Sequence, residues 1–485
     1  MRIDMKNSTR RGAAFRKILL QFLVVIGLFL AASCNKKQNI APENPNIIFI
    51  ITDDQQIGLL GIEGSPVSMT PNIDRIGKEG VIFKNAFVVT PLCSPSRASF
   101  LTGQYAHIHK VINNDKLGLD VISHTLMTWP RQLREAGYQT AFIGKWHMGL
   151  DDSRRPGFDR WFSFKGQGAF IDPVVNDEGS RRQTTGYMTD IINEQAVDFI
   201  NRNHNQKPFA MVVSHKAVHW PILPAKRHES LYSDYLFESQ PASEEDLKGK
   251  PLLMREFDRE ASYFMENILP EPAEPRRGRG HDPSAVVGDE LRCLASVDEG
   301  VGQLFAALEK SGELDNTMII YTSDNGMLMG EHGKFNAKRW AYDPVLRVPL
   351  LVRYPPIITE GSISEQMVLN IDVAPTLLEL VGVDPIIPIH GRSFVPLLHD
   401  PNAPWRQAFL AEYFLEKVSP RERPWKAIRT EKWKYIDYTE EGIPSELYDL
   451  QIDPREEQNL INQPEQQTNV DALKKQLDDL LKETS

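Results

Sequence analysis

Cysteine is scarce: the 485 residues hold three, Cys34, Cys93 and Cys293. That excludes a disulfide-stapled scaffold, and a chain of this length can bury a large core without staples. No CxxC pair and no HExxH helix occurs, so the usual zinc donors are missing. Positive charge is in deficit, 55 Lys and Arg against 65 Asp and Glu for a net −10, which excludes a general nucleic-acid binder. Internal repeats, long low-complexity tracts and multiple membrane-length apolar runs are also missing. What is present, 41% hydrophobic and 25% charged residues, is the composition of an ordinary globular enzyme.

The amino terminus reads apart from the rest. Arg2, Lys6, Arg10, Arg11, Arg16 and Lys17 precede an apolar run over 18–32, too short and too one-sided for a stable span. This predicts a secretory signal over 1–33 and an exported protein. The run ends in Leu30-Ala31-Ala32-Ser33-Cys34, which resembles a bacterial lipobox with Ala31 where Leu is usual. The resemblance implies a lipidated Cys34, membrane attachment through that lipid, and a linker over 34–44. Cys93 and Cys293 then remain as a candidate disulfide pair. Cys293 lies in a helix-like stretch, where a lone cysteine is a small buried hydrophobe. Cys93 lies in a Pro/Ser-rich turn, the wrong setting for core filler.

From 45 onward, apolar strands alternate with amphipathic helices, the mark of a parallel sheet covered on both faces. Four strands end in polar residues: 46–52 in Asp53-Asp54, 140–143 in Gly144-Lys145-Trp146-His147, 209–213 in Ser214-His215 and then His219, and 317–321 in Ser323-Asp324-Asn325. In open α/β sheets that edge is where ligands bind. Helical spacing is predicted over 129–136, 191–200 and 297–308. Residues 225–288 break the rhythm and read as a loop-rich insertion beside the crevice, where specificity would lie. Beyond Pro401 come short strands at 408–413, 425–429 and 433–438, then a helix with Val470, Leu473, Leu477 and Leu480 on one face. The expected organisation is a catalytic domain over 45–400 and a smaller α+β subdomain over 401–485.

Asp53, Asp54, Asp324 and Asn325 offer oxygen donors whose charges would repel without a hard cation between them, calcium or magnesium. Cys93-Ser94-Pro95-Ser96-Arg97, followed by Leu101-Thr102-Gly103, resembles the signature of type I sulfatases, in which the cysteine is oxidised to formylglycine. Pro95 suits the first turn of a helix that begins beside Cys93, where exposed N–H groups favour anions, and Arg97 lies one turn on. Further blocks are similar to the same family: Pro45-Asn46-Ile47, Thr70-Pro71-Asn72-Ile73-Asp74-Arg75, Gly144-Lys145-Trp146-His147, Ser323-Asp324-Asn325-Gly326, Gly330-Glu331-His332-Gly333, and Lys338-Arg339-Trp340-Ala341-Tyr342 with Asp343 where Glu is more usual. The small domain conforms in Glu446-Leu447-Tyr448-Asp449-Leu450. The resemblance implies an alkaline-phosphatase-like α/β fold, a large mixed and mostly parallel sheet sandwiched by helices, with the smaller C-terminal subdomain.

It also implies roles. Residue 93, as hydrated formylglycine, would attack sulfur in line, beside a calcium ion held by Asp53, Asp54, residue 93, Asp324 and Asn325. Asp324 would take the attacking proton, and Arg97 and Lys145 would hold formylglycine and sulfate oxygens. His219 would protonate the leaving oxygen, Lys338 would contact the sulfate, and His147 would deprotonate the second hydroxyl so that the aldehyde re-forms. Without the resemblance, Lys145 and Trp146 read as a snorkelling lysine and a packing aromatic. His215 competes with His219, and Lys334 with Lys338. His107, His109 and His332 read as loop or packing histidines, although His109 and Asn113 follow the nucleophile motif closely enough to line the pocket.

The implied activity is hydrolysis of sulfate esters on glycosaminoglycan or mucin glycans, leaning to N-acetylglucosamine 6-O-sulfate, after a formylglycine-generating enzyme has matured Cys93. Two other readings stay open: a phosphonate or phosphate monoester hydrolase of the same superfamily, and a lipoprotein that binds glycans without turnover. Asn35-Lys36-Lys37 is not the acidic stretch that resembles a surface-export signal in Bacteroides-like bacteria, so the periplasm is expected.

Overall fold

Strand β1 (Asn46–Thr52) is buried along its whole length, as an unbroken apolar run requires of a strand covered on both faces. In the computed structural model, which describes residues 44–115, 118–203, 207–233, 244–250, 252, 283–417 and 419–485, it lies inside a ten-stranded sheet. Parallel neighbours flank it, β7 (Phe209–Ser214) on one side and β8 (Thr317–Ser323) on the other. The order across the sheet is β12 (Ser362–Leu369), β2 (Val81–Phe87), β11 (Leu350–Arg353), β8, β1, β7, β3 (Gln139–Gly144), β4 (Arg160–Ser163), β5 (Val174–Asp177) and β6 (Ser180–Gln183). The run from β8 to β4 is parallel, as is the β12–β2 pair, while β11, β5 and β6 pair antiparallel. The signal, Cys34 and nearly all of the 34–44 linker fall outside the described residues.

Side chains alternate across the sheet. Ile48 and Ile50 join a core with Ile73 and Ile76 of α1 (Pro71–Lys78), Ile192 of α4 (Met188–Asn203) and Leu294 and Val297 of α5 (Pro283–Ser311). Phe49 points the other way, its ring 5.4 Å from Phe100 of α2 (Cys93–Thr102) and 6.4 Å from Trp129 of α3 (Trp129–Glu135). Helix α6 (Val373–Leu380) packs on α2 and α3. Each such buried Ile or Phe contributes roughly 1.5–3 kcal/mol.

Two expectations change. Cys93 and Cys293 are both buried and unbridged. They lie on opposite faces of the sheet, Cys93 on α2 and Cys293 inside α5, where its Sγ accepts from the Tyr187 hydroxyl at 3.7 Å. The loop-rich insertion expected over 225–288 ends earlier, because α5 starts at Pro283, a residue suited to a helix's first position. Residues 234–243, 251 and 253–282 of it lie outside the described residues.

The second sheet is antiparallel: β13 (Ala408–Tyr413), β14 (Trp425–Thr430), β15 (Trp433–Tyr438) and β16 (Glu446–Asp449). Helix α7 (Gln467–Glu483) covers it through buried Val470, Leu473 and Leu477, with Leu480 partly buried beside them. Its core is continuous with the edge of the large sheet, where Phe87 and Phe409 rings stand 5.0 Å apart. Asp343 is part of this join, paired with Arg429 at 3.1 Å and Lys434 at 2.5 Å.

Candidate active site

The four polar strand ends meet at one edge, since β8, β1, β7 and β3 are adjacent and parallel. Their ladder continues into the loops: Asp324 N–H donates to the Thr52 carbonyl, Asp53 N–H to Ala217, and His215 N–H to Ile51. The carboxylates are therefore fixed by backbone pairing. Gly144 shapes the β3 end, with φ of +117°; a Cβ there would stand 1.9 Å from the Ser214 carbonyl oxygen, which accepts from Lys145 N–H at 2.8 Å.

Helix α2 starts at Cys93, with Leu92 extended before it and Pro95 in its first turn. It stops at Gly103, which takes φ of +71°; a Cβ there would meet the Ile389 side chain at 2.6 Å. The start places Cys93 Sγ 3.5 Å from Asp53 Oδ1 and 3.9 Å from Asp54 Oδ1. Lys338 Nζ lies 2.8 Å from that sulfur and 2.6 and 2.9 Å from the two Asp54 oxygens. Lys145, buried beneath, pairs with Asp53 Oδ2. Arg97 donates through Nε to Asp324 Oδ2 at 2.8 Å, and through Nη1 to the Lys145 carbonyl and Ser214 Oγ at 3.1 and 2.6 Å. Its Nη2 is buried without a hydrogen bond, 3.7 Å from Asp53 Oδ1.

The charges shift one another. Burial pushes the Asp53 carboxyl up, but Lys145, His219, Arg97 and Lys338 outweigh it and hold it well below the usual carboxylate range. Burial and the neighbouring Asp53 push Asp324 up to about 7, against Arg97. Burial pushes the Cys93 thiol up to about 12, so the unmodified cysteine is a protonated, poor nucleophile. Burial lowers both His147 and His219 well below the usual imidazole range.

Calcium fits the donor set. Asp53, Asp54, Cys93 and His219 each offer a ligand atom, all within 4.8 Å of one another. Asp324 Oδ1 accepts from Asp54 N–H at 3.0 Å. Asn325 Nδ2 donates to Asp54 Oδ1 at 2.7 Å, leaving Asn325 Oδ1 buried with no hydrogen-bond partner. An orphaned oxygen beside three carboxylates suits a hard cation with many oxygen ligands.

The competing assignments resolve by position. His219, not His215, faces the carboxylates: its Nε2 lies 3.6 Å from Asp54 Oδ2, and its Nδ1 is bonded to the Trp220 carbonyl. His215 is buried away from them, its Nδ1 unpartnered. The lysine at Cys93 is Lys338 rather than Lys334. Lys145 does not snorkel, whereas Trp146 is a packing aromatic, among Phe142, Phe158 and Trp161. His147 is partly buried, with Nδ1 unpartnered and its carbonyl accepting from Ser94 Oγ at 2.5 Å.

Two pocket residues are corrected. His109 turns inward, 3.1 Å from Ser99 Oγ, and does not face the carboxylates. Asn113 bonds to Asp115 and the Leu415 carbonyl; Asn114, one residue on, accepts from Ser94 N–H at 3.0 Å beside the nucleophile. His107 pairs with Glu412 and His332 with Asp246, both as packing groups. Ser214 and Asn114 were not foreseen in these roles, although Ser214 belongs to a strand end already singled out.

Comparison with known proteins agrees with this geometry. The sulfatase family model matches residues 45–383, and the model of the N-sulphoglucosamine sulphohydrolase C-terminal region matches residues 330–483. The chain is 33% identical to an N-acetylglucosamine-6-O-sulfatase of Bacteroides thetaiotaomicron, over 95% of this chain and 90% of that one. It is 31% identical to human N-acetylglucosamine-6-sulfatase, over 76% of this chain and 67% of the relative. A solved structure in complex with its substrate D-glucosamine-2-N,6-O-disulfate superimposes with a TM-score of 0.78 at 30% identity, covering 91% of this chain and 98% of that one.

Proposed function

The chain belongs to the sulfatase family, and we propose that the ester it cleaves is the 6-O-sulfate of a glucosamine residue in a glycosaminoglycan or mucin glycan. It is a sulfuric ester hydrolase acting on carbohydrate sulfate. The finer substrate rests on the relatives, whose names specify N-acetylglucosamine 6-sulfate, and on the neighbour holding a glucosamine 6-O-sulfate. The observation that carries the chemistry is the convergence of Arg97, Lys145 and Lys338 with three carboxylates on residue 93 at a helix N-terminus.

Calcium held by Asp53, Asp54, Asp324 and Asn325 would supply charge against the sulfate oxygens, and formylglycine made from Cys93 would supply the attacking hydroxyl. Lys338 and Arg97 Nη2, both directed at residue 93 or its carboxylates, hold negative oxygens there as charge redistributes. Asp324, held by Arg97 Nε through Oδ2, takes a proton from the attacking oxygen. His219 donates through Nδ1–H to the Trp220 carbonyl, and its Nε2, 3.6 Å from Asp54 Oδ2, delivers a proton to the departing sugar oxygen once the anionic sulfate ester is bound and the ring is protonated. His147, whose Nδ1 is unpartnered, would take the proton of the second hydroxyl as the carbon–oxygen bond to sulfate breaks, so that the aldehyde re-forms and free sulfate leaves. Lys145 holds Asp53 from beneath and turns its other oxygen toward the site.

The same reading covers maturation and location. A formylglycine-generating enzyme converts Cys93, and the lipobox-like stretch ending at Cys34 supports a lipid-anchored protein on the periplasmic side. The test is sulfate release from a panel of defined sulfated saccharides, wild type beside Cys93→Ala, both produced with the maturation enzyme. Release from 6-O-sulfated glucosamine alone, absent in the mutant, is expected. Release from another regioisomer removes the sugar assignment. Faster cleavage of a phosphonate or phosphate monoester than of any sulfate ester removes the sulfatase specificity, and residue 93 found as unmodified cysteine by peptide mass spectrometry removes the mechanism.

A further inference from the structure

Lys338 and residue 93 meet in space but belong to different elements, the loop after β10 (Phe335–Ala337) and the start of α2. One side chain links the two segments. Glu416, in the turn after β13, is fully buried. Its Oε2 accepts from Arg339 Nε at 2.5 Å, and its Oε1 accepts from Asn114 N–H at 2.7 Å. Asn114 Oδ1 in turn accepts from Ser94 N–H at 3.0 Å. Arg339 follows Lys338, and Ser94 follows Cys93, so the chain of bonds ends one residue from each reacting group.

The Arg339 end is held twice. Its carbonyl accepts from the Trp425 indole N–H at 2.8 Å, so the small sheet grips both its side chain and its backbone. Arg339 has φ of +82°, a conformation that a non-glycine residue keeps only when its surroundings over-determine it. Held this way, the following strand of contacts leaves Lys338 Nζ 2.8 Å from the residue 93 side chain. The flanking loops run side by side, with Asn113 Nδ2 donating to the Leu415 carbonyl at 3.4 Å.

We propose that Glu416 is a positioning residue that sets the distance between Lys338 and residue 93, tying the small sheet to the reaction. The proposal rests on the roles given above to those two residues. A carboxylate suits the task because it accepts on both oxygens, from a guanidinium and from an amide on separate elements. Glutamine keeps the shape but accepts on one atom only, and its NH₂ faces a donor.

The test compares kcat, KM and melting temperature on a glucosamine 6-O-sulfate for matured Glu416→Gln, Asn114→Ala, Lys338→Met and the Glu416→Gln/Lys338→Met double variant. Glu416→Gln is expected to lower kcat about a hundredfold, the scale of a 1 Å misplacement, with a smaller change in KM. The loss should largely vanish in the Lys338→Met background, because positioning has nothing left to position. Asn114→Ala, which cuts the arm to Ser94 alone, should lower kcat less. A folded Glu416→Gln with wild-type kcat overturns the proposal, as does a loss that multiplies undiminished onto Lys338→Met. Should Glu416→Gln fail to fold, Asn114→Ala decides: wild-type kcat overturns the proposal, and a drop absent in the Lys338→Met background supports it. A fully active Lys338→Met overturns the catalytic reading itself and this proposal with it, a result distinct from failure at Glu416 alone.

Discussion

Arg97 Nε stands 2.8 Å from Asp324 Oδ2 while Nη2 of the same guanidinium stands 3.7 Å from Asp53 Oδ1, so one buried cation bridges the carboxylates that end β1 and β8. Replacing Arg97 with Met leaves those carboxylates without that partner in a desolvated site, a change worth about 3–5 kcal/mol in other buried pairs. Arg97→Met should therefore lower the melting temperature as well as abolish sulfate release. Arg97→Lys should recover part of the stability and little of the activity, because a single ammonium cannot reach Asp324, Ser214 and the site together. A thermal scan beside a sulfate-release assay measures both. Unchanged stability in Arg97→Met would refute the bridging role.

His219 is assigned to the departing oxygen, and that role has a specific kinetic mark. A sugar alkoxide needs protonation as it leaves, whereas an activated aryloxide does not. His219→Ala should slow glucosamine 6-sulfate hydrolysis by about 10²–10⁴-fold. The loss on an activated aryl sulfate should be far smaller. Equal losses on both esters would move His219 from acid to binding group. His215→Ala, altering a histidine that lies away from the carboxylates, should show no such split.

Much of this centre was legible because each donor ends an apolar strand. Asp53, Asp54, Asp324, Asn325 and Lys145 follow runs that can only be buried strands, and parallel strands bring their carboxyl ends to one edge. Cys93 was legible from the resemblance of Cys93–Arg97 and Leu101–Gly103 to the sulfatase signature, and Pro95 agrees with the start of its helix. Other contacts leave no local trace. Glu416 lies 302 residues from Asn114 and 77 from Arg339, in a turn with no pattern of its own. The choice between Asn113 and Asn114 depends on a turn whose direction composition does not encode, and His109 faces Ser99 because of where its short helix points. The unbridged cysteines follow from sheet sidedness, which appears only once α2 and α5 are assigned to opposite faces.

Metal removal should report on Asn325. Its Oδ1 is a buried acceptor without a hydrogen-bond partner, beside three carboxylates that are each paired with a cation. A chelator should eliminate sulfate release, and added calcium should restore it and raise the melting temperature by mass action. Asn325→Ala should raise the calcium concentration needed for half recovery. If chelation leaves both activity and melting temperature unchanged, the oxygen cluster is not a cation site. Recovery with magnesium alone would favour a tighter, more hydrated ion.

Stability should also carry a pH signature at His107, far from the carboxylates. Burial alone would lower its pKa, but Glu412 and the Thr484 carbonyl outweigh burial and hold it above the ordinary 6.5. Both ring nitrogens are bonded, Nδ1 to Glu412 at 2.9 Å and Nε2 to Thr484 O at 2.9 Å, a pattern only the imidazolium satisfies with two donors. A raised folded-state pKa means the native state binds the proton more tightly than the unfolded chain. The stabilisation is therefore fully present below about 6.5 and is lost as pH rises through the folded-state pKa. The melting-temperature gap between wild type and His107→Gln should be largest below about pH 6.5 and shrink as pH rises above it. The link joins the short helix after α2, Ala106–His109, to β13 and the carboxyl end of α7, so the loss should appear first as increased amide exchange in α7. A gap that stays constant with pH would mean that the ring is neutral in the folded protein and that Glu412 holds it by shape alone.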